Sequence, residues 1–145
     1  MTEKKNGGFS LIEIIIVIAI MAVLVSVLAP QYLKYVEKSR MVRDREQADE
    51  IQKGCEMILN DADEKLEAGE YTITLTPNAD ITVTGQGGAN PSHLDNYLKQ
   101  VLGQDYAKSH LISKNFSKIE IVFSNTVKPS CNITYVNSGG SASNH

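Results

Sequence analysis

One carboxylate in this sequence stands where carboxylates are rarely found. From Phe9 to Ala29 the chain runs for 21 residues in which only Ser10, Glu13 and Ser26 are polar. A charge inside such a run costs on the order of 2.5–3.5 kcal/mol at mid-membrane, and less near an end. Glu13 therefore calls for a positive partner. Its place four residues after Phe9 suggests the α-amino group that a cut between Gly8 and Phe9 would create. The chemistry at stake is ion pairing in an apolar medium, with no bond-making step.

Other candidate groups carry less. His93, His110 and His145 are scattered without metal-ligand spacing, so no metal or cofactor is expected. Gly85-Gln86-Gly87-Gly88 lacks the lysine that closes a phosphate loop. Asp61-Ala62-Asp63-Glu64 on a helix would splay its carboxylates apart rather than converge on calcium. No serine sits in a nucleophile elbow and no histidine neighbours Cys55 or Cys131, so hydrolytic chemistry has no support. Asn115 and Asn132 fall in glycosylation sequons, which occur by coincidence in many chains.

The elements that must position these groups follow from period. A helix from Phe9 to Ala29 reaches roughly 32 Å, enough to cross a bilayer core. Pro30 removes one backbone donor and is expected to kink the helix. Helical pattern then continues, because Ala48, Ile51, Cys55, Ile58, Leu59, Ala62 and Leu66 recur every three or four residues. The stop is expected near Ala68, with Gly69 as a left-handed cap.

Strict alternation over Tyr71–Thr76 and Ile81–Thr84, around the turn Pro77–Asp80, predicts a hairpin with Tyr71, Ile73 and Leu75 inward. A short helix is expected over His93–Leu102, capped by Ser92, with Leu94, Tyr97, Leu98 and Val101 on one face. Two more strands are expected at Ile119–Phe123 and Cys131–Val136, with Pro129 in the turn between. The Gly/Ser/Asn tail, 138–145, is expected to be disordered. The fold class is α+β: a long N-terminal helix, membrane-spanning in its first half, packed against a four-stranded antiparallel sheet.

Cys55 lies on the core stripe of the helix and Cys131 on the inward face of the last expected strand. A bridge between them is geometrically possible, and two buried free thiols are the alternative. Both readings stay open at this point.

The stretch Gly8, Phe9-Ser10-Leu11-Ile12-Glu13, behind a short leader carrying Lys4 and Lys5, resembles the prepilin signal of the type IV pilin superfamily. Counted from Phe9, the family's fifth-position glutamate is Glu13 and its twenty-second-position proline is Pro30; the glycine that many members carry at the fourteenth is Ala22 here. The resemblance implies a leader at 1–8 removed by a prepilin peptidase, N-methylation of Phe9, and a polymerisation helix at 9–30. A globular head at 31–137 would follow. It implies assembly through Phe9, Glu13 and Pro30 into a major-pilin-like helical homopolymer for adhesion, motility or aggregation. The implied partners are identical subunits, the peptidase, and an inner-membrane platform with its ATPase. A secretion pseudopilin, a competence pilin and a plainly anchored binding domain are the alternatives.

Composition narrows the classes further. Loss of Glu3, Lys4 and Lys5 with the leader moves the formal charge from −3 to −4, which does not favour nucleic-acid binding. The five bases from Lys34 to Arg45 outnumber the two in the leader, and taken alone would hold the head in the cytoplasm. They are interleaved with Glu37, Asp44, Glu46, Asp49 and Glu50, and the leader motif requires the opposite orientation. The expected state is a single-pass precursor with a cytoplasmic N-terminus, then a surface filament. The chain itself is expected to be no enzyme.

Overall fold

The computed structural model describes residues 8–61, 65–140 and 142–144. Of the expected leader only Gly8 falls among them; Ala62, Asp63, Glu64 and His145 lie outside the described residues. The chain divides into two units, Met1–Val36 and Glu37–His145. Helix α1, Leu11–Asn60, contributes to each.

In the first unit every side chain from Phe9 to Tyr35 is exposed. The helical stretch is long and apolar enough to cross a membrane. Pro30 sits inside α1, and helical backbone runs on either side of it. Ser26 turns its hydroxyl onto the Val23 carbonyl at 2.7 Å, so this polar group is satisfied within its own helix.

In the second unit α1 buries Asp44, Ala48, Ile51, Gly54, Cys55 and Ile58, one stripe at the expected spacing. α1 ends at Asn60 instead of near Ala68. The Asn60 amide folds back onto the Glu56 carbonyl at 2.8 Å, and Asp61 N–H bonds the Ile58 carbonyl in a tighter turn. Leu66 still packs on the core, but from outside the helix, with its carbonyl held by Asn125. Gly69 opens a strand instead of capping a helix. A Cβ there would lie 2.4 Å from the Gln86 carbonyl oxygen, so the close approach of two strands explains the glycine.

The sheet has five strands, not four. They are β1 Gly69–Leu75, β2 Thr82–Gln86, β3 Phe116–Asn125, β4 Ser130–Asn137 and β5 Ala142–Asn144, in the order β2-β1-β3-β4-β5. All pairings are antiparallel. The added strand comes from the tail read as disordered. Gly140, at φ +80°, donates its N–H to the Asn137 carbonyl and reverses the chain, so that Ala142 pairs with Val136. Tail composition is poor in apolar residues, but the β4 edge supplies backbone partners that composition does not reveal.

One face of this sheet is the core: Tyr71, Ile73 and Leu75 from β1, Ile119, Ile121 and Phe123 from β3, Ile133 and Tyr135 from β4. Helix α2, Pro91–Leu102, packs its Leu94, Tyr97 and Leu98 into it. Its cap is Asn90, whose side chain accepts from Ser92 N–H at 3.1 Å, with Pro91 at the first helical position. Ser92, the expected cap, lies two residues inside. Val101 is exposed because the stripe continues through Leu102, which sits 3.6 Å from where a Cβ on Gly54 would be. That same Cβ would meet Leu98 at 2.9 Å, so Gly54 lets α1 and α2 approach closely.

Candidate assembly site and anchored head

Two sets of carboxylates on α1 define what the molecule can do. The first is at the helix start. Glu13 is the third helical residue after Ser10, and its Oε2 accepts the Ser10 backbone N–H at 2.7 Å. Ser10 returns its carbonyl to Glu13 N–H at 3.0 Å. The Ser-x-x-Glu spacing of a capping box was present in the sequence as Ser10-Leu11-Ile12-Glu13, a signal that the membrane reading passed over. The carboxylate thus rests on an orphan donor at the positive end of the helix dipole. Phe9, next to it in sequence, is 85% exposed. The structure keeps Phe9 and Glu13 at the same helix end, while Pro30 lies about five turns further on.

The second set anchors the loop between α2 and β3. Asp44 is 1% exposed, and its carboxylate accepts Ile112 N–H at 3.1 Å and Ser113 N–H at 2.8 Å. About two turns earlier, Glu37 accepts the Ser113 hydroxyl at 2.7 Å and Lys114 N–H at 2.6 Å. The Ser113 hydrogen bond is the main cause that holds Glu37 below its ordinary value. Partial desolvation opposes it, while the Lys114 and Asn115 amides and Arg40 reinforce it. In the sequence these acids belong to the mixed-charge Lys34–Arg45 segment, where they stood only as a counterweight to its bases. The receiving loop lies about 70 residues away, and it carries no side-chain pattern that would announce backbone donors. Arg45, from the same segment, places its guanidinium 5.8 Å from the Phe116 ring centre and 5.5 Å from that of Tyr135.

On α2, Asp95 takes Lys99 at 2.5 Å and the Tyr106 hydroxyl at 2.6 Å. Burial pushes Asp95 up, but these two donors outweigh it and leave it below its ordinary value. Burial, then Asp95, pushes the Tyr106 hydroxyl well up.

The two cysteines are brought together. Both are free thiols, Cys55 buried and Cys131 half-buried against the same core, and their side chains hydrogen-bond each other. His93 pairs with Glu67 at 3.3 Å, far from either cysteine in the chain.

The structure thus joins an apolar, fully exposed helix start with a capped glutamate to an α+β head. Residues 4–29 match the family described as the prokaryotic N-terminal methylation motif. The chain is 30% identical to prepilin peptidase-dependent protein A of Clostridium perfringens, over 57% of this chain and 59% of that protein. It is 40% identical to a probable minor fimbrial protein of Dichelobacter nodosus, over 46% of this chain and 42% of the relative. The type IV major fimbrial protein FimA of the same organism is 31% identical across 72% of this chain and 77% of its own length. The first two matches thus span about half the length of those relatives, whereas the third spans most of it. No solved structure matches the chain. The chain belongs to the type IV pilin superfamily.

Proposed function

We propose that this chain is the structural subunit of a type IV pilus-like filament. A prepilin peptidase cuts between Gly8 and Phe9, and the new Phe9 amine is methylated. The precursor waits as a single-pass membrane protein with its N-terminus in the cytoplasm. An ATPase-driven platform then moves it into a helical homopolymer that serves adhesion, motility or aggregation at the cell surface. The relatives' names support this reading, and the observation that carries it is Glu13 inside an apolar segment whose side chains are all exposed.

The physics is an exchange of solvents. Residues 9–29 leave lipid for a core of identical helices, so little apolar surface meets water on the way. Glu13 is the one group for which the exchange is not neutral. In the free chain it holds the Ser10 amide; in a filament the Phe9 amine of the neighbouring subunit is the stronger partner, because it carries a full charge. Each added subunit presents a new unpaired Glu13, which gives growth its direction. The chain needs no catalytic group for this and is the substrate of an enzyme, not an enzyme.

The test is to shear surface material from cells and sequence the N-terminus of this chain. A start at Phe9 is expected, and an uncut chain retained in the membrane overturns the proposal. Glu13→Val is expected to leave the cut intact and to reduce sheared filament by at least about tenfold, since the buried charge pair is lost at every subunit addition. Normal filaments from that variant would overturn the pairing role.

A further inference from the structure

Among the described residues of the head, Cys55 and Cys131 form a pair of nucleophilic groups that the assembly reading does not use. Cys55 stands on the buried stripe of α1, between Ile51 and Ile58. Cys131 stands on β4, opposite Phe123 of β3, and packs against the core from its rim. The two side chains enter the same core from either side of the helix–sheet seam, and only Cys131 has solvent access. We propose that this pair is a redox modification site that closes into a Cys55–Cys131 disulfide by exchange with an external disulfide oxidant, stapling α1 to β4.

The geometry sets the order of events. An oxidant R–S–S–R can reach Cys131 but not Cys55. The Cys131 thiolate attacks one oxidant sulphur, forming Cys131–S–S–R and releasing RS⁻, which takes up a proton. The Cys55 thiol then loses its proton, and its sulphur attacks Cys131 Sγ, forming the internal bond and releasing the second RS⁻, again protonated to RSH. Two thiols are oxidised by two electrons, and one R–S–S–R is reduced to two RSH. The acid–base chemistry runs the same way. The hydrogen bond between the thiols lowers Cys131, while that same bond, followed by burial, raises Cys55, so Cys131 is the group that supplies the attacking thiolate.

The site would act as a mechanical staple. Without the bond, only noncovalent contact holds α1 to β4 at this point. With it, residues 55 through 131 form a closed loop, and the helix that carries filament tension cannot separate from the sheet.

The test uses the full chain in detergent micelles, reduced and then incubated with oxidised glutathione, with intact mass and thiol count as readouts. The expected product is a monomer that has lost both thiols and two hydrogens in mass, with no glutathione retained. Cys55→Ser is expected to accumulate one glutathione on Cys131, at least about tenfold faster than Cys131→Ser takes it up on buried Cys55. Adding urea should erase that difference by exposing both thiols. Two thiols persisting through native incubation, a product found only as a disulfide-linked dimer, or equal rates in the two variants would each overturn the proposal.

Discussion

The two halves of α1 obey the same backbone geometry and differ in where their apolar faces go. From Ile14 to Leu28 the large apolar side chains point outward all round the helix and stay exposed. From Asp44 to Ile58 only one stripe is apolar, and it is buried against β1, β3, β4 and α2. A helix hydrophobic on every side has no surface of its own to hide against, and an exposed apolar area of that extent marks a missing partner. The stripe half completes a domain within the chain; the uniform half requires lipid or other copies. The fate of the carboxylates matches: Asp44 is paired inside the head, whereas Glu13, among the described residues, holds a neighbouring amide of its own helix end.

The sharpest way to break this comparison is to delete apolar volume in each half. Phe123 is fully buried and stacked 5.8 Å from Tyr71. Phe123→Ala should cost about 3–5 kcal/mol of head stability through the lost transfer energy and the cavity left behind. Ile15→Ala, in the exposed half, should leave the urea midpoint of the head unchanged within about 0.5 kcal/mol. Tyrosine emission, undisturbed because the chain has no tryptophan, reports the transition in micelles. A large effect from Ile15→Ala would mean that the first half contributes to the head's stability.

Next in size is the anchored loop. Asp44→Ala strands the Ile112 and Ser113 amides in the interior, a loss of about 2–4 kcal/mol if each costs about 1–2. Asp44→Asn retains one acceptor oxygen and should cost about half as much. Equal stabilities for the two variants would show that the amides had found other partners.

Acid should read the same anchors from the proton's side. Glu37, held by the Ser113 hydroxyl, and Asp95, held by Lys99 and Tyr106 against its burial, both lie below their ordinary values of 4.5 and 3.8. A depressed folded-state value means that the unfolded chain binds protons first. The stabilisation is therefore complete above about pH 5 and is lost as pH falls through the two depressed values. Urea midpoints should be flat from about pH 7 to 5 and fall below about pH 4. Ser113→Ala should weaken the acid dependence, because it removes the largest cause at Glu37; an unchanged profile would exclude Glu37 from it.

These tests also mark what the sequence made legible. The apolar run, the Glu13 spacing and the Ala48-to-Ile58 stripe were readable because each is a local period that burial or lipid enforces. The β1–β2 and β3–β4 pairs were readable for the same reason, since alternation and turn residues lie side by side in the chain. Asp44 was not, because its partners are backbone amides about 70 residues away that carry no letter of their own. β5 was missed because an edge strand draws on its neighbour's hydrogen bonds more than on its own composition. The helix end was misplaced because Leu66 continues the stripe in sequence while the chain has already left the helix at Asn60.

The smallest effect separates the cap that the sequence suggested from the one that formed. Both Asn90 and Ser92 are good capping types, and both precede the apolar face of α2. The difference is Pro91: with its fixed φ and no N–H it fits the first helical position, which leaves the residue before it, Asn90, as the cap. Asn90→Ala should cost the head about 1 kcal/mol by freeing the Ser92 amide, while Ser92→Ala, at an exposed site inside the first turn, should stay within about 0.5 kcal/mol. The other cap, at the start of α1, should behave in the opposite sense. Loss of the Glu13 carboxylate removes a comparable hydrogen bond, yet Glu13→Val should leave the head's urea midpoint in place and show its effect only in filament yield. If Glu13→Val lowered the midpoint as Asn90→Ala does, the capping box would be part of the head's stability, and the division of α1 between two solvents would fail at its first turn.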